Sequence, residues 1–167
     1  MTVATSDGYI LLTHRSHKVA YDPGTWSSSL EEQLSEHDFK GADSEVMSRW
    51  LQRALVEELG LSNIEASQCE ARILAVFLEA DRLNTGIAAL ASLDLTRDEL
   101  DAIIDSRPRE DYEFQDWAFI KWSDLASELG APTRPYHPSS GLRMLLAGIV
   151  HYGVFGFSEK LDRALRH

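Results

Sequence analysis

Two adjacent carboxylates, Glu57 and Glu58, follow an arginine in the segment Arg53-Ala-Leu-Val-Glu-Glu-Leu-Gly-Leu61. On a helix, at about 100° per residue, Glu57 falls about 60° to one side of Ala54 and Glu58 about 40° to the other. Leu51, Leu55 and Leu59 point roughly 60–140° away, towards a core. Carboxylates fixed side by side on a rigid helix are hard oxygen donors for Mg²⁺ or Mn²⁺, and such a cation neutralises a bound di- or triphosphate. The same pair also reads as solvated helix surface, where glutamates are common. Arg53 and Glu57, four apart, read equally as a weak helix pair in the less favourable orientation.

The elements around this helix set where those carboxylates point. The spacing predicts a helix from about Glu45 to Leu59, with Asp43 or Ser44 at its N-cap and Gly60 just past its end. Before it, Thr5-Ser-Asp-Gly is a turn signal and Tyr9-Ile-Leu-Leu-Thr reads as a strand, so the chain opens with a hairpin. The first strand of that hairpin is short, which fits a stub or a natural start further upstream. Tyr21-Asp-Pro-Gly-Thr is a turn, and the acidic stretch that begins at Ser27 reads as a loop in its early part. After the helix come a strand over 71–80, a turn at Asn84-Thr-Gly and a strand over 87–95. Thr96 caps a short helix with Glu99 at its third position, and Trp117 to Trp122 alternates as a strand. Ser123 caps a helix stopped by Gly130, and a Pro-rich loop over 132–138 leads into final helices. Strands before and after the long helix predict one α+β or α/β domain over 1–167, with no internal repeat.

Composition narrows the function classes. With 16 Lys+Arg against 27 Asp+Glu, the formal charge is −11, and a surface of that sign repels phosphate backbones. Duplex nucleic acid is therefore not the expected partner. The single cysteine, Cys69, allows no intrachain disulfide and fits a cytoplasmic location. The start of the chain lacks the basic and apolar segments of a signal peptide. The apolar tract from Leu142 to Phe157 is shorter than a membrane span and is interrupted by Arg143 and His151, so a core helix is expected and no membrane partner. Core packing is the first reading of that tract and a dimer contact the second. No P-loop, two-histidine zinc spacing or Gly-x-Ser-x-Gly elbow is present in the sequence.

Arg53-Ala-Leu-Val-Glu-Glu-Leu-Gly-Leu61 resembles the second half of the Nudix box, whose pattern is Gly, five residues, Glu, seven residues, then Arg-Glu-U-x-Glu-Glu-x-Gly-U, with U a bulky aliphatic. Arg53, Leu55, Glu57, Glu58, Gly60 and Leu61 match, and Glu45 stands eight before Arg53, where the box has its first Glu. Asp7 to Arg15 resembles the hairpin leading into such a domain, Gly24-Thr-Trp26 the strand entering the box, and the stretch from Asp111 to Leu125 the late acidic loop, strand and short helix. The resemblance covers roughly residues 3–129. It implies an α/β/α sandwich with a mixed sheet between helices, followed by a helical extension over 130–167. It implies a Mg²⁺- or Mn²⁺-dependent hydrolase of a nucleoside diphosphate linked to another moiety, a nucleotide-like small-molecule substrate, and a fold in which homodimers are common. The implied metal ligands are Glu45, Glu57 and Glu58; Arg53 orients Glu57 or neighbouring loop carbonyls; Arg15 and Trp26 contact substrate; and Glu113 is a catalytic carboxylate.

The departures bear on catalysis. The box Glu after the arginine is Ala54, the box Gly falls on Phe39 with Gly41 nearby, and Ser27-Ser-Ser-Leu30 stands where Pro-Gly-Gly is usual. The stretch from Trp26 to Arg53 is also several residues longer than the common pattern. Two outcomes follow: a binding module without turnover, or an enzyme whose missing carboxylate is replaced by Glu113, Glu31 or Glu32. Isopentenyl-diphosphate isomerases share the fold and also lack that Glu, but they use a cysteine in the loop after the tryptophan, whereas Cys69 lies far along this chain.

Overall fold

Successive residues of the central strands face two different cores. Val3, Leu11, Ala89 and Ala91 pack into one, while Ala4, Ile10, Leu12 and Leu90 pack into the other. This period-2 division means that both faces of the sheet are covered. The computed structural model describes residues 1–41, 43–80, 83–108 and 113–166. Its strands are β1 (Thr2–Ala4), β2 (Tyr9–Arg15), β3 (Trp26–Ser27), β4 (Glu70–Glu79), β5 (Asn84–Ser92) and β6 (Phe114–Lys121). Its helices are α1 (Val46–Leu59), α2 (Asn63–Ser67), α3 (Arg97–Asp105), α4 (Leu125–Gly130), α5 (Ser140–Tyr152) and α6 (Val154–Ala164). Residues of α1, α2 and α3 fill the first core and residues of α4, α5 and α6 the second. The result is an α+β fold with a mixed sheet between two helical layers.

The opening hairpin forms as expected, with Ala4 opposite Ile10, and its first strand is a stub of three residues. That stub also runs parallel to β5, with Thr2 opposite Leu90, and so joins the two halves of the sheet. β2 pairs antiparallel with β6 along its length and with β3 at its end, where His14 lies opposite Trp26. β4 and β5 form an antiparallel hairpin at the other side of the sheet.

Several local expectations shift by a few residues. The long helix begins at Val46 after a 3₁₀ turn over Asp43–Glu45, and its N-cap residue Glu45 makes no side-chain capping bond. Neither Asp43 nor Ser44 is the cap, because the turn before the helix already supplies helical backbone. Asn84-Thr-Gly lies inside β5 and is not the turn. Gly86 is there for contact: a Cβ on it would meet the Phe77 ring at 2.3 Å across the hairpin. Ser123 does not cap α4 either; it sits in a 3₁₀ turn over Trp122–Asp124 and donates to Asp124 Oδ1. The final apolar tract is two helices, broken at Gly153 with φ 74°. No helix among the described residues is long and apolar enough to cross a membrane.

Gly60 ends α1 as expected, in the left-handed region at φ 77°, with its N–H donating to Val56 O at 3.1 Å. A Cβ there would also meet Arg107 Cδ at 2.3 Å. Gly60→Ala should therefore lower stability by about 1–2 kcal/mol, the left-handed cost of a non-glycine residue, read as a shift in the urea midpoint at constant slope.

Candidate active site

Arg53 is the hub of the site, and the partner that anchors it is Asp38. Ser35 and Asp38 form a capping box on the 3₁₀ turn over Glu36–Phe39, which fixes Asp38 facing α1. Arg53 donates from Nε to Asp38 Oδ1 at 3.0 Å and from Nη2 to Oδ2 at 2.9 Å. Its Nη1 donates to Glu32 Oε1 at 2.7 Å and Glu57 Oε2 at 2.9 Å, and Nη2 also reaches Gln33 O at 2.7 Å. A planar guanidinium serves this many acceptors because its donors are arranged as a fork. Asp38 is only 1% exposed. The Arg53 guanidinium holds its carboxyl below the usual carboxylate range, while Asp38, ahead of Glu32 and Glu57, raises the proton affinity of Arg53.

Glu45 does not join this group. It is 66% exposed and pairs with Arg49, one turn along, at 3.0 Å. Twelve residues of helical rise put it about 18 Å from Glu57 along the axis. Glu45, expected as a metal ligand, thus stands apart, and Arg53 instead reaches the loop carboxylate of Asp38, fifteen residues before it and held on the 3₁₀ turn over Glu36–Phe39.

Glu58 is the focus of the remaining carboxylates. Partial burial, followed by the charges of Glu113 and Glu32, a hydrogen bond with Glu32 and the charge of Glu57, pushes its carboxyl up to about 7. Glu113, exposed on the loop before β6, is tied to the sheet through its carbonyl, which accepts from Ser16 N at 2.8 Å. Asp111, expected in the same acidic loop, lies outside the described residues. Ala54 is fully buried in the core beneath these groups. Among the described residues no three His, Cys, Asp or Glu side chains stand in metal-gripping geometry. As donors the carboxylates present anionic oxygens, the ligand type that hard divalent cations take.

A cavity of about 1040 Å³ opens beside the group, lined by Glu32, Glu113, Glu31, Arg15, Lys18 and Tyr21 among others. Carboxylates and cations thus face one another across the same space. A second cavity of about 330 Å³ shares Arg15, Glu31 and Glu32 and adds His137, Phe77 and Arg143. Arg15, 9% exposed, donates from Nε and Nη2 to Tyr21 O at 3.3 and 3.1 Å, which shapes the loop over the first cavity. Trp26 stacks on His14 at 5.0 Å and carries the Arg134 guanidinium 5.0 Å from its ring centre, so its ring is engaged by protein side chains. Cys69 packs against the α1 core at the head of the β4 hairpin, and burial pushes its thiol up to about 11.

Arg143 and Asp38 were not foreseen. Arg143, from α5, is 2% exposed and donates to Leu30 O at 2.9 Å, to Ser27 Oγ at 3.2 Å and to Glu31 Oε1. Burial, with the charge of Arg15, lowers its proton affinity. It locks the loop carrying Glu31 and Glu32 onto the C-terminal layer. One arginine inside an otherwise apolar run was the signal available for it. Asp38 carried a weaker one, the Ser35-x-x-Asp38 spacing of a capping box.

No protein-family model matches the sequence, and no curated protein sequence matches it. Among solved structures, the chain is similar to DR0079 from Deinococcus radiodurans, with a TM-score of 0.52 and 16% identity over 87% of this chain and 77% of that one. At that identity the likeness bears on the fold alone.

Proposed function

We propose that this chain is a Nudix-type hydrolase that cleaves, with Mg²⁺ or Mn²⁺, the anhydride bond of a nucleoside diphosphate linked to another moiety. The observation that carries the reading is spatial. Arg53 gathers Glu32, Asp38 and Glu57 at the edge of a cavity whose walls also hold Glu113, Arg15 and Lys18. Glu57, Glu58 and Glu32 would hold the cation, which when bound supplies charge neutralisation of the diphosphate and a lowered pKa for water. Arg53 is a positioning residue: it fixes the loop carboxylate Glu32 against the helix carboxylate Glu57. Arg15 and Lys18 face the phosphates from across the cavity. Glu113 is the carboxylate placed to accept a proton from water, since it is exposed to the cavity, whereas guanidinium groups engage Glu31 and Glu32.

The second reading is a ligand-binding module without turnover, and the observation that favours it is Ala54, buried where the box carries a carboxylate. The isomerase reading has less support, because Cys69 packs against the α1 core. The test is phosphate release from a panel of nucleotides, dinucleoside polyphosphates and nucleotide sugars with Mg²⁺ or Mn²⁺, on the wild type beside Glu58→Gln. We expect metal-dependent turnover that Glu58→Gln loses. Folded wild-type protein that binds a nucleotide but turns over no member of the panel would replace the hydrolase with the binding module.

A further inference from the structure

The sheet ends on β4, a strand of ten residues whose sheet partner among the described residues is β5. The register of this pair slips between Ile73 and Ala75. Residues opposite one another in an antiparallel pair share a face. Ile73 lies opposite Ala89, Val76 opposite Ile87 and Leu78 opposite Thr85, three odd-numbered positions of β5 on the face that looks towards α1. The bulge therefore shifts the alternation of β4 by one residue and brings Ile73, Val76 and Leu78 onto a single face, where they are 41%, 66% and 62% exposed. Isolated exposed aliphatic residues are ordinary, but a row of them along an open edge is what monomeric sheets avoid.

The charges of β4 say what covers that edge. Arg72 lies opposite Leu90 and Glu79 opposite Asn84, so both project from the other face of the strand, at opposite ends of the apolar run. We propose that β4 pairs antiparallel with the β4 of a second copy, about a two-fold axis midway along the strand. Each Arg72 then meets Glu79 of the partner subunit, and the row from Ile73 to Leu78 is set against its own reversed copy. In a parallel pairing Arg72 would stand beside the second copy's own Arg72, so the charge pattern is self-complementary in the antiparallel arrangement. Phe77 and Glu79 also line the second cavity, which places this interface next to the candidate active site.

The test is the mass of the full chain in solution by sedimentation equilibrium over a range of micromolar concentrations. The wild type should be a dimer, Arg72→Glu and Glu79→Arg should each weaken it about tenfold or more, and the double exchange should restore it. Val76→Lys, an exposed position, should also give a monomer with an unchanged unfolding midpoint. A wild type that is monomeric throughout would overturn the proposal. So would a dimer indifferent to the single exchanges, or one that the double exchange fails to restore.

Discussion

Replacing Arg53 by Met should cost about 3–5 kcal/mol, the penalty of leaving a buried charge without its partner. That is a large share of the roughly 5–15 kcal/mol that holds a domain of this size together. Met keeps much of the aliphatic stem, so the loss comes from the guanidinium. Without it, Asp38, 1% exposed, retains the Ser35 N–H at 2.7 Å but loses both Arg53 bonds. Adding Asp38→Asn should recover part of the loss, because a neutral amide is cheaper to bury than a carboxylate. The pH dependence supplies an independent readout. In the wild type Asp38 has its folded pKa below the unfolded value near 3.9, so its contribution is present above about pH 4 and is lost as the pH falls through the folded pKa. In Arg53→Met the unpaired, buried carboxyl prefers its proton, so this contribution changes sign and acidification from pH 7 towards 4 stabilises the variant relative to the wild type. Urea midpoints from pH 3 to 8 measure both effects. A loss under about 1 kcal/mol with a pH profile parallel to the wild type would show that Arg53 is not the hub.

Glu58→Gln should have opposite effects on stability and turnover. Glu58 has its folded carboxyl raised to about 7, above the unfolded value, first by burial and then by Glu113 and Glu32. For an acid shifted in this direction, stability is fully present below the unfolded pKa of about 4.3 and is lost as the pH rises through the folded value. The metal-free protein should therefore lose on the order of 2–3 kcal/mol between about pH 4.5 and 7.5 from this group alone. Gln carries no proton to lose, so the variant should lack this loss and be the more stable protein at pH 8 without metal. Mg²⁺ should reverse the order. Binding to the ionised carboxylates stabilises the wild type at pH 8 by mass action, and the variant far less. Thermal unfolding of both proteins at pH 5 and 8, with and without Mg²⁺, gives all of these comparisons. A wild type whose midpoint ignores Mg²⁺ at pH 8 would remove Glu58 from the metal site even if turnover were found.

The parts of the fold set by local chemistry were legible in the sequence. Gly60 stops α1 and Thr96 caps α3 with Glu99, because a left-handed glycine and a capping box act within a few residues. The apolar run after the Thr5-Ser-Asp-Gly turn signal located β2 for the same reason. Glu57 was legible as Arg53's helix neighbour because four residues make one turn. What stayed hidden depends on partners distant in the chain. Asp38 reaches Arg53 across 15 residues through a loop with no regular period, and Arg143 reaches Leu30 across 113. Glu45 stands eight residues before Arg53, the spacing of the common pattern, but it lies at the N-terminal end of α1, about two turns from the arginine, and pairs with Arg49. Asn84-Thr-Gly had turn composition, yet Gly86 serves the approach of Phe77, and composition does not distinguish the two uses.

The lock between Arg143 and the loop at Ser27 to Glu31 orders events during synthesis. β1 sits between β2 and β5, and its parallel partners Leu90 to Ser92 are made some ninety residues later. At roughly 5–20 residues per second, the first strand waits for several seconds after it leaves the ribosome before its place in the sheet exists. The loop carrying Glu31 and Glu32 waits longer, because the guanidinium that pins it belongs to α5. A nascent chain halted before residue 143 has Arg53 to set Glu32 against Glu57, but lacks the guanidinium that ties Leu30 and Glu31 to the C-terminal layer. The last contacts of the loop from Ser27 to Glu31 therefore form only once the C-terminal layer has been made.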